Sequence, residues 1–326
     1  MPQETTKDLV TPYAKLRADT MARDRGLREK VMNLEEAAKL VHDGEHVALG
    51  GCHMSRTPIA MLWALMRAKR KNLVISRSIA STESDMLLAA GTTKHIITSW
   101  FSQGLIWGVS KVMRHHMENK LARFEEWSHM SMGLRYRAGA MGIPFIPSRS
   151  MMGSDVSAEL GADFKTIQCP FTGETVVALP ALNPDVAVIH VQRCDPFGNA
   201  QIDGLQFMDI DLAMAAKRVI LTTERLVSNE FIRRTPDQTR IPFITVDAVV
   251  EVPMGCAPHE CYGTYEPFFQ HMDEYADITT KDPVKGMQDY LARYVYGPKS
   301  WTDTLSELGM DAVLDACRRG RSVYND

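Results

Sequence analysis

Short apolar runs alternate with longer amphipathic stretches along the first part of the chain. Residues 46–49 form a β-type run, which a glycine pair separates from an amphipathic stretch at 58–70. The same pattern then recurs, with strand-like runs at 73–76 and 94–99 on either side of a helical stretch at 83–90. Strand, turn and helix in repeated succession are typical of parallel βαβ crossovers. The pattern therefore predicts an α/β fold.

Apolar runs in the second half of the chain extend the same sheet. Several consist almost entirely of apolar residues, as strands do when both faces of a parallel sheet are covered. We therefore predict an open, mostly parallel sheet with helices on both faces. The later runs lie at residues 175–179, 186–190, 218–222 and 244–250.

The chain divides into a central domain and two helical ends. Residues 1–32 are polar and predict a helical N-terminal arm. The first helix of the domain follows Asn33, a suitable capping residue, with Glu36 three residues later. We assign residues 33–280 to one elaborated domain, because no low-complexity or charged linker divides them. Residues 281–326 are charged and predict a helical C-terminal tail packed on that domain.

Composition and charge exclude several classes of protein. Of the 326 residues, 45% are hydrophobic and 24% charged, as in an ordinary globular enzyme. The formal net charge of -3 leaves no basic excess to neutralise nucleic-acid phosphates. No run approaches the roughly 20 apolar residues of a membrane span, and the charged first residues do not resemble a secretory signal. Because the six cysteines follow no disulfide framework, we expect a cytoplasmic protein with reduced thiols.

Gly50 and Gly51 end the first predicted strand and are the first candidates for a binding loop. Glycines let a backbone or a ligand approach closely, and the helix that follows offers free N–H groups to an anion. A tight turn without any ligand explains the pair equally well. The G-x-G-x-x-G spacing of dinucleotide-binding loops is absent, and so is a Walker phosphate loop. The two commonest nucleotide-binding interpretations of an α/β chain are therefore excluded.

Cysteine and histidine at short spacing require that a zinc site be considered, because thiolate and imidazole are common zinc ligands. Cys256, His259 and Cys261 are three close candidates, but a proline interrupts them and no second ligand pair stands at zinc-finger spacing. The neighbours His115 and His116 would point in different directions on a helix. We therefore expect no metal site.

Four segments in a fixed order carry a family resemblance. They read GIPFIPSRSMMGSD at 142–155, DPFGN at 195–199, TERLV at 223–227 and GCAPHECYGTY at 255–265. The series resembles the α subunits of glutaconate CoA-transferase and their relatives, and the resemblance extends over about residues 33–280. At the last segment the family has G-A-H-P where this chain has GCAP, so one histidine is missing from its usual place.

The resemblance implies the CoA-transferase fold, with an active site at the junction of two unlike subunits. In that family the nucleophile is a glutamate of the smaller β subunit. It attacks an acyl-CoA, and the reaction passes through an anhydride and a glutamyl-CoA thioester. A carboxylate nucleophile divides one difficult acyl exchange into easier steps. The family nucleophile lies in a Ser-Glu-Asn-Gly type of turn, which this chain lacks, so we expect an α subunit without the nucleophile.

The resemblance also implies the partners and substrates. The chain is expected to be active only with a β subunit, in a heterodimer or a higher hetero-oligomer. Its substrates would be an acyl-CoA and a small carboxylic acid, for instance a dicarboxylic one. No cofactor would be permanently bound, because the coenzyme A thioester is itself a substrate.

By the same resemblance, this chain forms the wall of the pocket opposite the nucleophile. Hydroxyl groups after the second strand are suited to bind a substrate carboxylate, although Ser and Thr also favour helix starts. An arginine clamps a carboxylate with its planar fork, or forms a surface ion pair. The substrate-binding candidates are Gly50, Gly51, Ser78, Ser81, Thr82 and Arg149, and the candidates for catalytic assistance are His129 and Glu126.

Three functions remain open from the sequence. The first is CoA transfer between an acyl-CoA and a free acid. The second keeps the two-subunit site but hydrolyses a cyclic CoA thioester, as in steroid ring degradation. The related ring-opening hydrolases carry a glutamate where this chain has His129, which favours the transferase. The third is a non-catalytic partner that binds or regulates, since a fold does not fix a function.

Overall fold

Twelve strands form between residues 46 and 251 of the computed structural model, which describes the backbone of residues 9–325 and the side chains of residues 9–321. The first eight residues of the predicted N-terminal arm lie outside the described part. The strands are β1 His46–Leu49, β2 Leu73–Ser76, β3 Thr93–Thr98, β4 Arg123–Glu126, β5 Phe145–Ser148, β6 Thr166–Gln168, β7 Thr175–Pro180, β8 Val186–Cys194, β9 Ala200–Gln201, β10 Arg218–Leu226, β11 Thr239–Ile241 and β12 Ala248–Glu251.

Helices connect the strands and form both ends of the described chain. One π-helical turn, Ala292–Tyr296, and three 3-10 turns, Gly161–Asp163, Pro236–Gln238 and Phe243–Thr245, accompany them. The α-helices are α1 Tyr13–Ala22, α2 Leu34–Lys39, α3 Ile59–Arg67, α4 Thr82–Ala89, α5 Gly104–Trp107, α6 Lys111–Glu118, α7 His129–Met141, α8 Val156–Leu160, α9 Asp209–Ala215, α10 Asn229–Arg234, α11 Phe269–Lys281, α12 Pro283–Leu291, α13 Trp301–Leu308 and α14 Met310–Asn325.

Seven strands form a parallel sheet in the order β12-β10-β8-β1-β2-β3-β4. Strands β9 and β11 join it in antiparallel orientation. From β1 the chain moves outward through β2, β3 and β4, and it later returns to the other side of β1 as β8. The strand order therefore reverses between β1 and β8, and open α/β sheets bind ligands at the carboxyl ends of the strands beside such a reversal. The predicted open, mostly parallel sheet is confirmed.

Helices cover both faces of this sheet, because successive strand side chains point to opposite sides. Val47 and Leu49 of β1 belong to one buried core, together with side chains of α3, α4 and the helices from α11 to α14. Ala48 between them belongs to the other core, with Tyr136 of α7 and Leu212 of α9. All four residues of β1 are buried, as expected for the central strand of a doubly covered sheet.

The helix after residue 33 begins as the sequence predicts. The Asn33 side chain accepts a hydrogen bond from the Glu36 N–H at 2.8 Å, and the Glu36 carboxylate accepts one from the Asn33 N–H at 3.1 Å. Such reciprocal bonds satisfy two N–H groups that the first helical turn leaves free. The capped start predicted for α2 is confirmed.

The C-terminal helices share the first core. Met287 and Leu291 of α12 and Val295 of the following turn are buried there, and α12 packs against α4 and α6. At the other end of the chain, Arg23 follows α1 and forms an ion pair with Asp247 at 2.6 Å. Within residues 9–325 no helix is long and apolar enough to cross a bilayer. The six cysteines are free thiols.

Two strand predictions differ from the structure. Residues 244–250 do not form one strand, because the Thr245 N–H bonds to the Pro242 carbonyl at 3.0 Å and closes a 3-10 turn before β12. Residues 175–179 do form a strand, but β7 lies in a separate antiparallel sheet of order β5-β7-β6. Alternate side chains of β7 are only partly buried. This pattern fits a sheet covered on one face.

Asp85 of α4 is a buried carboxyl group whose titration affects stability. It accepts hydrogen bonds from the Ser110 hydroxyl at 2.5 Å, the Tyr275 hydroxyl at 2.9 Å and the Gln103 amide at 3.4 Å. Burial raises the pKa of this carboxyl to about 7, against hydrogen bonds that lower it. The folded protein therefore binds a proton that the unfolded chain has released. Its contribution to stability is lost as the pH rises from about 4 to about 7.

The substitution Asp85→Asn removes this titration while retaining an acceptor for the hydroxyl groups. We expect the free energy of unfolding of the wild type, minus that of the variant, to fall by at least about 1 kcal/mol over that pH interval. Urea unfolding at several pH values measures this difference. A difference that is constant with pH would contradict the raised pKa.

Candidate functional site

The candidate site lies at the carboxyl edge of the parallel sheet, beside the reversal between β1 and β8. Because β1, β2, β3 and β4 are parallel neighbours, the loops that follow them lie next to one another. They bring together Gly50 and Gly51 from the first loop, Ser78 from the second, Ser99 from the third and His129 from the fourth. The sequence placed four of these residues at the site, and Ser99 is added by the structure.

The loop after β1 is compact and needs glycine at one position. Gly51 has a φ of 67°, and a Cβ there would lie 2.2 Å from the Ser55 carbonyl oxygen. Its N–H donates to Asp209 at 2.8 Å. His53 and Arg56 also have positive φ values, of 52° and 51°, which are uncommon for residues other than glycine. The close approach at Gly51 is therefore to the loop's own backbone.

Arg56 fixes this loop to the opposite half of the sheet. Its guanidinium donates to Asp209 at 2.5 Å, to the His190 carbonyl at 3.0 Å and to the Leu205 carbonyl at 2.8 Å. The side chains of Arg56 and Asp209 are each 1% exposed. No sequence signal identifies this pair, because a lone arginine in a loop before a helix is common and Asp209 is far along the chain.

The loop after β2 is held by a second buried ion pair. Arg77 and Glu83 approach to 2.8 Å with both side chains fully buried. Glu83 also accepts a hydrogen bond from the Ser81 N–H at 2.9 Å. The Ser81 side chain does not cap α4, and its hydroxyl, although buried, has no hydrogen-bond partner among the described residues. A polar group left in this state fits a ligand-binding role better than a capping role.

Thr82 belongs to a hydrogen-bond chain that crosses the site. Its hydroxyl lies 2.6 Å from His259 Nε2, and His259 Nδ1 lies 2.8 Å from the Thr57 hydroxyl. The Arg77 guanidinium donates to the same Thr57 hydroxyl at 2.9 Å. Thr82 therefore connects the loop after β2 to the segment around His259, a residue that the sequence suggested only as a metal ligand.

Buried titratable groups at this edge are held in neutral forms. Burial lowers the pKa of His53, and burial together with the charge of Arg77 lowers the pKa of His259 well below its usual value. Burial raises the pKa of the Cys52 thiol, against a hydrogen bond with Ser78 that lowers it. At neutral pH these imidazoles are uncharged and the thiol is protonated. The groups therefore offer hydrogen bonds without adding charge.

His129 and Glu126 lie at the far end of the same edge. His129 begins α7, and its Nδ1 is 3.3 Å from the Ser99 hydroxyl. Ser99 in turn is joined to Ser78, since its N–H donates to the Ser78 carbonyl at 3.1 Å. Glu126 is exposed at the end of β4. The structure thus connects His129 to the loop after β2.

Arg149 lies apart from these residues, after β5 in the three-stranded sheet. It forms an ion pair with Glu174 at 3.2 Å, and the two side chains are 78% and 58% exposed. An exposed pair of this kind contributes little to stability. The surface ion pair considered for Arg149 is therefore present, and a role as a substrate clamp remains a prediction.

An exposed apolar segment borders the site. Trp100, Leu105 and Ile106 are 58%, 102% and 72% exposed, although they surround buried polar residues. The segment contacts the first loop, because a Cβ at Gly104 would lie 3.0 Å from the His53 ring. Large apolar side chains grouped at a surface are typical of protein interfaces. The pattern of the sequence did not single out this segment.

Comparisons with known proteins agree with this architecture. The profile of the family described as coenzyme A transferase matches residues 31–252. The α-type subunit of glutaconate CoA-transferase from Acidaminococcus fermentans is 34% identical over 88% of this chain and 94% of its own length. The crystal structure of glutaconate coenzyme A-transferase from that organism matches with a TM-score of 0.84 and 33% identity, covering 88% of this chain and 95% of that one.

Two further relatives widen the range of activities and lengths. An uncharacterized protein of Archaeoglobus fulgidus is 36% identical over 91% of this chain, which spans 66% of that protein's length. The cholesterol ring-cleaving hydrolase IpdA subunit of Rhodococcus jostii is 28% identical over 83% of this chain and 93% of its own length. Subunits of both transferases and hydrolases are therefore similar to this chain.

Proposed function

This chain belongs to the coenzyme A transferase family as an α-type subunit, and from that premise we propose that it moves CoA between an acyl-CoA and a small carboxylic acid. A β subunit supplies the nucleophilic glutamate in this proposal, and CoA thioester is the substrate rather than a bound cofactor. The six free thiols suit a reducing compartment such as the cytoplasm.

The state of the buried carboxylates at the site is the observation that carries this proposal. Glu83 is bound to Arg77, and Asp209 to Arg56 and the Gly51 N–H. A carboxylate held in a buried ion pair is not free to attack an acyl group, because leaving its partner would strand two buried charges. The nucleophile of a carboxylate-based mechanism must therefore approach from another chain.

The remaining groups at the edge suit the wall of a shared pocket. The Ser81 hydroxyl and the nearby Ser78 hydroxyl are placed to bind a substrate carboxylate or thioester oxygen. Fixed donors of this kind stabilise negative charge that develops on oxygen during acyl transfer. The apolar segment with Trp100 and Leu105 is the surface that we assign to the β subunit. Its closure over the site would exclude water from the thioester.

Hydrolysis of a CoA thioester is the second candidate function. It is favoured by one observation, the placement of the His129 imidazole 3.3 Å from the Ser99 hydroxyl at the same edge. An imidazole in this position is able to take a proton from a water molecule. In this alternative water replaces the carboxylic acid as the acyl acceptor.

Mass spectrometry of the intact complex separates the two functions. The chain is co-purified with the product of its neighbouring gene and incubated with a panel of acyl-CoAs without an acceptor acid. We expect a covalent CoA adduct on the partner and none on this chain. The chain without its partner is the control, and it should form no adduct and release no CoA.

Two outcomes would contradict the transferase. Catalytic release of free CoA without an adduct on either chain would establish the hydrolase, and His129→Ala should then abolish the release. A CoA adduct on this chain would show that the nucleophile lies here. If the transferase assignment holds, His129→Ala should leave the adduct on the partner intact.

A further inference from the structure

Four side chains with metal-ligating atoms meet beneath the segment 255–265. They are His190 of β8, Glu224 of β10, Cys256 and Cys261, and one ligand atom of each lies within 4.8 Å of all the others. His190 and both cysteines are fully buried. The four residues come from three separate parts of the chain, so the cluster is a product of the fold.

The ligand set selects one class of metal ion. Sulfur ligands disfavour magnesium and calcium, which prefer oxygen, whereas two thiolates with an imidazole and a carboxylate suit a tetrahedral zinc ion. We propose that His190, Glu224, Cys256 and Cys261 bind one Zn²⁺ ion. The sequence predicted no metal because only Cys256, His259 and Cys261 stand close along the chain. The structure turns His259 toward Thr57 and Thr82, and it adds His190 and Glu224.

Outer hydrogen bonds orient two of the four ligands. His190 Nδ1 lies 2.8 Å from the Thr222 hydroxyl, which leaves Nε2 directed into the cluster. Glu224 accepts hydrogen bonds from the Met254 N–H at 2.8 Å and the Tyr265 hydroxyl at 2.5 Å. Metal-binding histidines and carboxylates are commonly fixed by such partners.

Binding requires a small local adjustment. His190 Nε2 and Glu224 Oε1 are 2.9 Å apart, a hydrogen-bond distance. Neighbouring nitrogen and oxygen ligands of a tetrahedral zinc ion stand about 3.3 Å apart, because each lies about 2 Å from the metal. The ion would therefore displace the proton between these two side chains and separate them by a few tenths of an ångström.

A metal here would have a structural role close to the candidate site. With four protein ligands and no open coordination position, the ion would be closed to substrates. It would tie the loop between Cys256 and Cys261 to the sheet. That loop supports the candidate site, because the Glu260 carbonyl accepts the Arg56 N–H at 3.0 Å and His259 contacts Thr82. Metal binding at this position would therefore hold one wall of the site in place.

Metal analysis of the full-length chain, purified with its partner without chelator, tests the proposal. We expect about one zinc per chain in the wild type after dialysis, and less than about a tenth of that in Cys261→Ala and Cys256→Ala. Cys194→Ala is the matched control, since Cys194 is equally buried but lies in the other core. It should retain its zinc. A metal-free wild type, or zinc retained in Cys261→Ala, would overturn the proposal.

A second measurement does not depend on the folding of a variant. Exchange of the metal for Co²⁺ in the wild type should give a thiolate-to-cobalt charge-transfer band and the visible bands of a tetrahedral ion. Cobalt bound without the charge-transfer band would exclude the two cysteines. Peptide mapping under non-reducing conditions that finds Cys256 joined to Cys261 as a disulfide would likewise overturn the zinc site.

Discussion

Arg56→Met is expected to lower the free energy of unfolding by about 3–5 kcal/mol, because it leaves the Asp209 carboxylate buried without its cation. The two groups are 2.5 Å apart, and neither side chain is more than 1% exposed. The same substitution removes the donors to the His190 and Leu205 carbonyls. Urea unfolding of the wild type and the variant measures the loss.

Arg67→Met is the matched control for this prediction. Arg67 also donates to two carbonyl groups, of Val295 at 3.0 Å and Pro298 at 2.7 Å, but it has no ion pair among the described carboxylates. Its loss should cost about 1–2 kcal/mol. Adding Asp209→Asn to Arg56→Met should recover part of the stability, since the stranded charge is removed. A double variant that is no more stable than Arg56→Met would show that charge is not the cause.

Gly51→Ala is expected to reduce the activity of the complex by about 100-fold, because a Cβ cannot be accommodated without moving the first loop. That Cβ would lie 2.2 Å from the Ser55 carbonyl oxygen and 2.7 Å from the Arg56 carbonyl oxygen. Both atoms belong to the backbone, so rotation of a side chain does not relieve the clash. The activity is followed with the acyl-CoA that labels the partner.

Gly91→Ala separates this clash from backbone strain. Gly91 has a φ of 69°, almost the same as the 67° of Gly51, but a Cβ there meets nothing within 4 Å. Alanine at this position should cost about 1–2 kcal/mol through its left-handed conformation and leave activity unchanged. Equal losses of activity in the two variants would mean that general destabilisation, rather than the position of the loop, is responsible.

The sequence predicts the parts of this fold that depend on local pattern. The first three strands lie within one or two residues of their predicted bounds, because their apolar runs are short and clearly interrupted. The run at 244–250 misleads, since the turn after Pro242 uses apolar side chains without forming a strand. For β7 the pattern predicts a strand but not its sheet, which pairing with β5 and β6 decides.

The candidate site divides in the same way. Gly51, Ser78 and His129 are found from the sequence because each follows a predicted strand of a parallel sheet. The ion pair of Arg56 with Asp209 and the meeting of His190 with Cys261 depend on contacts between distant segments. Periodicity and spacing do not report such contacts. The role proposed for Arg149 came from the family resemblance and stays a prediction beside its surface ion pair with Glu174.

The order of the strands also affects how the chain is synthesised. Strand β1 pairs with β2 as soon as both have left the ribosome, but its other edge waits for β8, where Val47 meets Val186. During that interval the nascent chain carries an unpaired, largely apolar central strand, which is a template for aggregation. Because the first loop depends on Asp209, it too acquires its final form only after the second half of the sheet has been made. The site is therefore among the last parts of the molecule to form.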